Sequence, residues 1–252
     1  MGIAVVSLLI MANASFAFAQ AGREPDPQVQ MIYLVPADRP FRTDYAIAME
    51  NAIRHVQIWY HEEMDGKTFH LHKPVVEVYR TPHYAQYYAT NALGSLPDLW
   101  FFFNAVTDGF ALTGGMFNDP NNRWIFYLDA DTACGQVVGA TSGVALVAAN
   151  DLRGLVGEAN VPACIDEAPD TAGLCRWVGG LGHLLGLTFG LAHPDPCPGG
   201  SADNALLCLG YITYPSTYLL PEDKAILNLS MFFSPIKKLK EHKVKRFGCE
   251  LR

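Results

Sequence analysis

The sequence predicts an α+β fold or a three-layer α/β/α arrangement, in which helices cover a mixed sheet. Strand-like apolar segments and one long helix alternate through the first half of the chain, and the second half is mainly helical. Hydrophobic residues make up 50% of the 252 residues, which is enough to bury a sizeable core. These observations argue against an all-β fold and against a chain that is disordered as a whole.

Strands and one long helix account for the first half of the chain. The predicted elements are, in order, a strand at 31–36, a helix from 44 to about 64, and strands at 68–72, 75–80 and 123–131. Thr43 and Asp44 can cap the helix, and its apolar residues recur on one face at helical spacing. Residues 84–122 are aromatic and rich in Gly and Asn without a steady period, so we expect loops and short elements there.

Helices and loops dominate the second half. The predicted elements are, in order, a strand at 143–151, a loop-rich insertion at 152–176, a helix from about 177 to 189, and a last helix at 221–232. The first of these helices ends near Gly190, and glycine is typical just after a helix end. The last helix begins at Pro221 with acidic residues in its first turn, which favours the helix dipole.

The net charge of −7 and the pI of about 5.6 argue against a nucleic-acid-binding protein built on bulk positive charge. This charge is unevenly distributed. Residues 235–252 hold seven Lys or Arg against two Glu, a net charge of +5, which leaves −12 on the other 234 residues. The basic tail could contact an anionic surface or the acidic body of the protein, and a solvated tail is the alternative interpretation.

The N-terminus has the features of a secretory signal peptide. An apolar run at 3–11 is followed by Ala17-Phe18-Ala19, a small-residue cleavage pattern before Gln20. The run is too short to span a bilayer, and no later apolar stretch reaches the roughly 18–20 residues that a membrane span needs. The run lacks a preceding Lys or Arg, and a buried N-terminal helix is the alternative. We therefore expect a secreted or periplasmic protein with no membrane span.

Six cysteines follow the expected cleavage point, at positions 134, 164, 175, 197, 208 and 249. An even number in an exported protein favours disulfides, although the sequence cannot choose among the many connectivities. The pair Cys164 and Cys175 and the pair Cys197 and Cys208 each bracket a loop, so these are the first disulfides we expect. No two cysteines form a C-x-x-C pair, which argues against a cysteine zinc site.

A twelve-residue segment that begins at His183 carries the spacing from which a function can be predicted. Its sequence, HLLGLTFGLAHP, resembles the signature H-E-x-x-H-x-x-G-x-x-H of the metzincin zinc endopeptidases. His183 matches the first ligand His, Gly190 the turn and His193 the third ligand His. Leu184 stands at the position of the general-base Glu, and Leu187 stands at the position of the second ligand His.

A competing register begins at Gly179 and places Phe189 at the third ligand position. It matches two of the five fixed positions, whereas the register from His183 matches three and keeps the pattern LxxLTFGLAHP around them. We therefore prefer the register from His183.

The wider chain is similar to a group of secreted bacterial metzincin-like proteins over roughly residues 31–234. The segments DLRGLVGE, RWVGGLGH, GYITYP and TYLLPEDKAIL carry that likeness, and the order of strands, long helix, site helix and C-terminal helix agrees with it. The family has a methionine turn beneath the metal, and here Leu209 holds that position, with Leu207 as the alternative. The boundaries that follow are a signal peptide (1–19), a polar leader (20–30), a metzincin-like domain (31–234) and a basic tail (235–252).

The resemblance implies a metzincin-like fold, a zinc cofactor, and hydrolysis of peptide or protein substrates outside the cytoplasm. In the family, three His bind the zinc and the Glu acts as general base on the metal-bound water. Leucine has no lone pair for a metal and no proton to transfer, so Leu184 and Leu187 predict a catalytically impaired or inactive member. One alternative is a non-catalytic module that binds a peptide or protein in the old substrate cleft. Another is that the two leucines are engineered or erroneous.

Several other residues are weaker candidates for a site. They are Asp195 as a substitute oxygen ligand, His70 and His72 on one strand face, Asp129 and Asp131 for calcium, Ser142 as a nucleophile, and glycines 179, 180 and 182 as a phosphate loop. His55 and His61 lie on the long helix but do not share a face well. The favoured interpretations are an exposed strand face for His70 and His72, capping or solvation for the acidic residues, and helix packing for the glycines. No serine-hydrolase motif includes Ser142, and no phosphate-loop motif matches the glycines. The sequence does not define an oligomeric state.

Overall fold

The computed structural model describes residues 26–164, 173–237, 239, 248 and 249. The predicted signal peptide, most of the predicted leader and the central part of the basic tail lie outside the described residues. Within the described part of the chain, no helix has the length and apolar character needed to cross a membrane.

A five-stranded mixed sheet forms the centre of the fold. The strands are, in chain order, β1 (Gln28–Val35), β2 (Lys67–Thr68), β3 (His70–Arg80), β4 (Asn122–Leu128), β5 (Gly139–Thr141), β6 (Val144–Val147) and β7 (Ser234–Pro235). The main sheet has the order β3-β1-β4-β6-β5. Its neighbouring strands are parallel except for β5, which runs antiparallel to β6 at one edge. β2 and β7 pair separately.

Helices account for most of the remaining regular structure. They are α1 (Thr43–Glu63), α2 (Ala85–Thr90), α3 (Trp100–Thr113), α4 (Ala149–Leu155), α5 (Leu174–Thr188) and α6 (Pro221–Leu229), with a kinked turn at Leu206–Gly210. α1, α5 and α6 correspond to the three predicted helices. The residue before α1 is Arg42, whose side chain bonds to Asp44 and Glu158, so Thr43 lies inside the helix and does not cap it.

The three-layer arrangement follows from alternating burial along the strands. On β1, Val29, Met31 and Tyr33 pack with α1 and α5 on one face of the sheet. The intervening residues Ile32 and Leu34 pack with α2 and α3 on the other face. Both cores continue in the same alternating way through β4 and β6. The predicted α+β class with a three-layer α/β/α arrangement is therefore confirmed.

The prediction of loops and short elements over 84–122 is wrong, because α3 is a helix of 14 residues. Asn104 and Asp108 are buried on its inner side, whereas Phe103 is exposed. The Asp108 carboxylate accepts a hydrogen bond of 2.6 Å from the hydroxyl of Tyr88, which explains how a charged group is tolerated there. Polar residues inside and an aromatic residue outside remove the helical period that the sequence would otherwise show.

Two boundaries in the strand predictions also differ from the structure. The predicted strand at 143–151 ends at Val147, and α4 begins at Ala149. An unbroken apolar run does not separate a short buried strand from the helix that follows it. β1 begins at Gln28, within the range predicted as leader, because its first residues already pair with β3 and β4.

The two strands predicted at 68–72 and 75–80 are largely one strand, β3. Its pairing with β1 shifts between Val29 and Met31, which marks a bulge around Pro74. Proline has no backbone N–H to donate, so an irregularity of this kind lets it remain within an edge strand.

The six cysteines form three disulfides, namely Cys134–Cys164, Cys175–Cys249 and Cys197–Cys208. The predicted pair of Cys197 and Cys208 is confirmed. The predicted pair of Cys164 and Cys175 is wrong, because Cys175 lies at the start of α5 and bonds across to the C-terminal segment. That long-range pairing depends on the folded chain and leaves no trace in sequence spacing.

Candidate functional site

Helix α5 and the turn after it bring His183 and His193 together. α5 ends at Thr188, and Gly190 adopts a φ of +91°, in the left-handed region that glycine enters without strain. The chain then turns back, and the Nε2 atoms of the two histidines lie 3.1 Å apart. The predicted ligand spacing thus produces a convergence of two imidazoles.

The hydrogen bond to a backbone carbonyl defines the tautomer of His183. Nδ1 of His183 lies 2.8 Å from the carbonyl oxygen of Leu206 and donates its proton there. Nε2 of His183 then keeps its lone pair and accepts the N–H of His193. Burial lowers the pKa of His183, and nearby Arg176 and His193 act in the same direction, whereas the bond to Leu206 opposes them. The neutral imidazole is therefore the favoured form.

The kinked turn at Leu206–Gly210 forms the floor beneath α5. Leu207 is fully buried, and its methyl groups lie 3.2 Å from the point where a Cβ at Gly186 of α5 would stand. In contrast, 37% of Leu209 is exposed. Of the two positions considered for the methionine turn, Leu207 therefore packs against the site helix, whereas Leu209 is partly exposed.

The side chains at the positions of the metzincin signature do not fit a catalytic zinc site. Leu184 and Leu187 are half-buried and pack against the core, and neither can bind a metal. Catalytic zinc normally has three protein ligands plus water. Within residues 26–164 and 173–237, no three His, Cys, Asp or Glu side chains converge on a point that could hold a metal ion, so Asp195 does not supply the third ligand.

A cavity of about 230 Å³ opens beside His183. It is lined by Val138, Asp151, Arg176, Gly180, His183, Leu184 and Tyr211. The guanidinium of Arg176 lies 4.3 Å from the ring of Trp177 and 5.2 Å from the ring of Tyr211, so aromatic faces orient it. The cavity thus combines an imidazole, groups of both charges, an aromatic ring and an apolar wall. Such a mixture suits a side chain of a peptide better than a purely apolar ligand.

Sequence reasoning missed three polar residues of this cavity, namely Asp151, Arg176 and Tyr211. Arg176 precedes His183 by seven residues, which places both on one face of α5, and this spacing was the available signal. Asp151 belongs to α4 and Tyr211 follows the kinked turn, so only the tertiary fold brings them to the site.

The His183 cavity adjoins the antiparallel edge strand β5. Val138, the residue before β5, lines the cavity. Among the strands of the described residues, none pairs with the outer edge of β5. An open edge of this kind offers backbone donors and acceptors to an extended peptide.

The other sequence candidates make structural contacts away from the cavity. The partners are Ser234 for His70, Glu77 for His72, Tyr214 and Cys249 for His55, Ile236 for His61, Tyr33 for Asp129 and Arg153 for Asp131. Ser142 is exposed in a turn with a φ of +50°. Gly179 and Gly182 are buried inside α5, in keeping with helix packing rather than a phosphate loop.

Comparison with known proteins gives a fold and no closer relationship. No protein-family model matches the chain, and no curated protein matches it. Among solved structures, wild-type OgpA from Akkermansia muciniphila matches 85% of this chain with a TM-score of 0.57 and 15% identity. Catalytically inactive OgpA in complex with an O-glycopeptide substrate, glycodrosocin, matches 87% of this chain with a TM-score of 0.56 and 16% identity.

The chain covers 63% of the length of wild-type OgpA. Archaemetzincin from Methanopyrus kandleri is also similar, at 16% identity over 82% of this chain and 97% of that one, but its TM-score of 0.39 supports no argument. Sequence identities this low indicate a shared fold and do not transfer the roles of individual residues. The metzincin-like α+β fold expected from the sequence is therefore confirmed, and it is the fold that this chain shares with OgpA.

Proposed function

We propose that the protein is an exported relative of the zinc metallopeptidases whose peptide-bond hydrolysis is impaired or lost. One observation carries the proposal: His183 and His193 converge as two metal ligands of the family would, while leucine stands at the base and second-ligand positions. Export is supported by the predicted signal peptide and by three disulfides, which persist in oxidising compartments.

The loss of activity follows from what the two leucines cannot do. A zinc ion held by two imidazoles would lack a third protein ligand, and a bound water would lack a positioned base. Leu184 also lines the cavity beside His183, so the place of the base presents a hydrocarbon surface.

Peptide binding without cleavage is the second candidate function. The open edge of β5 can pair with an extended peptide, and the cavity beside His183 can take one of its side chains. Neither feature needs a metal or a base. Under this proposal the old substrate cleft still recognises a peptide that it no longer cuts.

Reversion of the two leucines separates metal binding from catalysis. We would compare the wild type, Leu187→His and the double variant Leu184→Glu/Leu187→His by zinc titration calorimetry and by cleavage of a quenched fluorescent peptide library. Leu187→His should bind one zinc tightly without efficient cleavage. The double variant should cleave faster than Leu187→His by about 10²- to 10⁴-fold, the usual contribution of a general base.

Two results would contradict the proposal. If the double variant binds no zinc, the register that places His183 and His193 as ligands is wrong. If the wild type cleaves peptides in a metal-dependent way, and His183→Ala abolishes that cleavage, the protein is an active peptidase.

Peptide binding is tested on the wild type with and without chelator. Because OgpA was solved with an O-glycopeptide, the panel should include O-glycosylated peptides and their unmodified counterparts. Binding that is insensitive to chelator and is not followed by cleavage supports the binding module. The absence of binding to any member rejects it.

A further inference from the structure

A continuous apolar groove runs along the start of α3 and reaches β5. Two cavities of about 330 and 270 Å³ share Leu99 and Phe103 and so form one depression. We call it the α3 groove. Its larger apolar side chains are those of Leu93, Leu96, Leu99, Phe102, Phe103, Val137 and Val138.

The α3 groove presents apolar surface without charge. Leu96 is 55% exposed, Val137 41% and Phe103 37%. The residues described as lining both cavities include no Asp, Glu, Lys or Arg. A contiguous exposed apolar surface is typical of an interaction site, and the missing charges favour an uncharged apolar occupant.

The walls of the α3 groove are held in place before any ligand arrives. The side-chain amide of Gln136 donates to the carbonyl oxygen of Ala89 at 2.7 Å. The backbone N–H of Val137 donates to the carbonyl oxygen of Asp98 at 3.0 Å. These bonds tie the segment before β5 to α2 and to the turn before α3. A preformed groove binds with less loss of conformational entropy than one that must be ordered on binding.

The α3 groove adjoins the cavity beside His183, because Val138 lines both. The two depressions lie toward opposite faces of the sheet, since α3 and α5 pack on opposite sides of it. Successive side chains of an extended peptide also point to opposite faces. A peptide paired with the open edge of β5 would therefore direct one side chain toward the His183 cavity and its neighbour toward the α3 groove.

We propose that the α3 groove is a specificity subsite that takes one large aliphatic or aromatic side chain of a peptide bound beside His183. The ligand class is an extended peptide with an apolar residue next to the residue that enters the His183 cavity. This inference rests on the proposed peptide binding and adds the side-chain preference of the site.

The test measures the binding of a positional-scanning library of short acetylated peptides to the full chain. The variants are Phe103→Asp, which places a charge in the groove, and Ile226→Asp, a matched control on α6 that is 43% exposed. The wild type should prefer Leu, Ile, Phe or Met over Ser or Asp at one position by roughly 10- to 100-fold. Phe103→Asp should abolish that preference, and Ile226→Asp should keep it.

The outcomes separate this inference from the proposed function. If the wild type binds no peptide, the proposed peptide binding and the subsite are both wrong. If it binds peptides without an apolar preference, or keeps that preference in Phe103→Asp, the subsite alone is wrong. A dimer that Phe103→Asp dissociates would make the groove an interface between copies and would also overturn the subsite. Should Phe103→Asp not fold, Leu96→Asp tests the same groove from a loop.

Discussion

The glycine at position 179 is predicted to be essential to the packing of the site helix, whereas its neighbour is not. A Cβ on Gly179 would lie 2.6 Å from the Cβ of Tyr214 and 3.0 Å from the carbonyl carbon of Tyr211, with the carbonyl oxygen nearer still. Carbon atoms in contact are usually about 3.5–4.0 Å apart. The alanine variant must therefore push backbone atoms, which cannot rotate away as a side chain can.

Gly180→Ala is the matched control on the same helix. Its Cβ would meet only flexible side-chain ends, with Nη1 of Arg176 at 3.3 Å and a carboxylate oxygen of Asp151 at 3.9 Å. Both substitutions gain the same helix propensity, about 1 kcal/mol, so it cancels in the comparison. The difference in free energy of unfolding then reports the close contact, which we place near the upper end of about 1–3 kcal/mol for overpacking.

Thermal unfolding followed by circular dichroism measures that difference. For a chain of this size each kcal/mol corresponds to about 2–4 °C, so Gly179→Ala should unfold about 6–12 °C below Gly180→Ala. Gly180→Ala should match the wild type or exceed it slightly. Equal unfolding temperatures for the two variants would show that α5 does not pack against the backbone at Tyr211 as described.

Three further predictions concern stability. The buried hydroxyl of Tyr127 has no hydrogen-bond partner among the described residues, so Tyr127→Phe should be neutral or stabilising in urea unfolding. Tyr60→Phe is the contrasting variant and should lose about 1 kcal/mol in free energy of unfolding, because the Tyr60 hydroxyl donates to the backbone carbonyl of Gly182 at 3.0 Å. Replacing both Cys175 and Cys249 by Ser should reduce the free energy of unfolding by about 4 kcal/mol, because this disulfide closes a loop of 74 residues. A loss below about 1 kcal/mol would contradict this prediction. Burial lowers the pKa of His55, so near and below about pH 6.5 the unfolded chain binds more protons than the folded chain. The free energy of unfolding should therefore fall from pH 7 to pH 5. In urea unfolding, His55→Gln should show a weaker pH dependence than the wild type, with a slope smaller by at most about 1.4 kcal/mol per pH unit.

The parts of the fold that were predictable are those in which local pattern and tertiary role agree. α1 has apolar residues on one face, and that face is buried against the sheet. α3 was missed because Asn104 and Asp108 are buried and satisfied by hydrogen bonds to neighbouring segments. Those partners come from α2 and from residues just before and after it, so the polar positions become compatible with burial only once the layers have assembled.

The same distinction applies to the site. The convergence of His183 and His193 follows from one helix turn, one glycine and a short return of the chain, all local in sequence. Arg176 shares the helix face of His183 and was within reach of sequence reasoning. Asp151 and Tyr211 arrive from other elements, so no spacing could have indicated them.

Under the proposed function, Leu184 and Leu187 remove the base and one ligand but leave the orientation of His183 intact. The lone pair on Nε2 of His183 points at His193 because Nδ1 donates to the backbone carbonyl of Leu206, and this bond depends on neither Leu184 nor Leu187. A backbone contact that fixes the tautomer of a ligand His is the kind of outer support that metal sites rely on. The proposed loss of hydrolysis therefore lies in two side chains rather than in the scaffold, and for that reason restoring only those two is a decisive experiment.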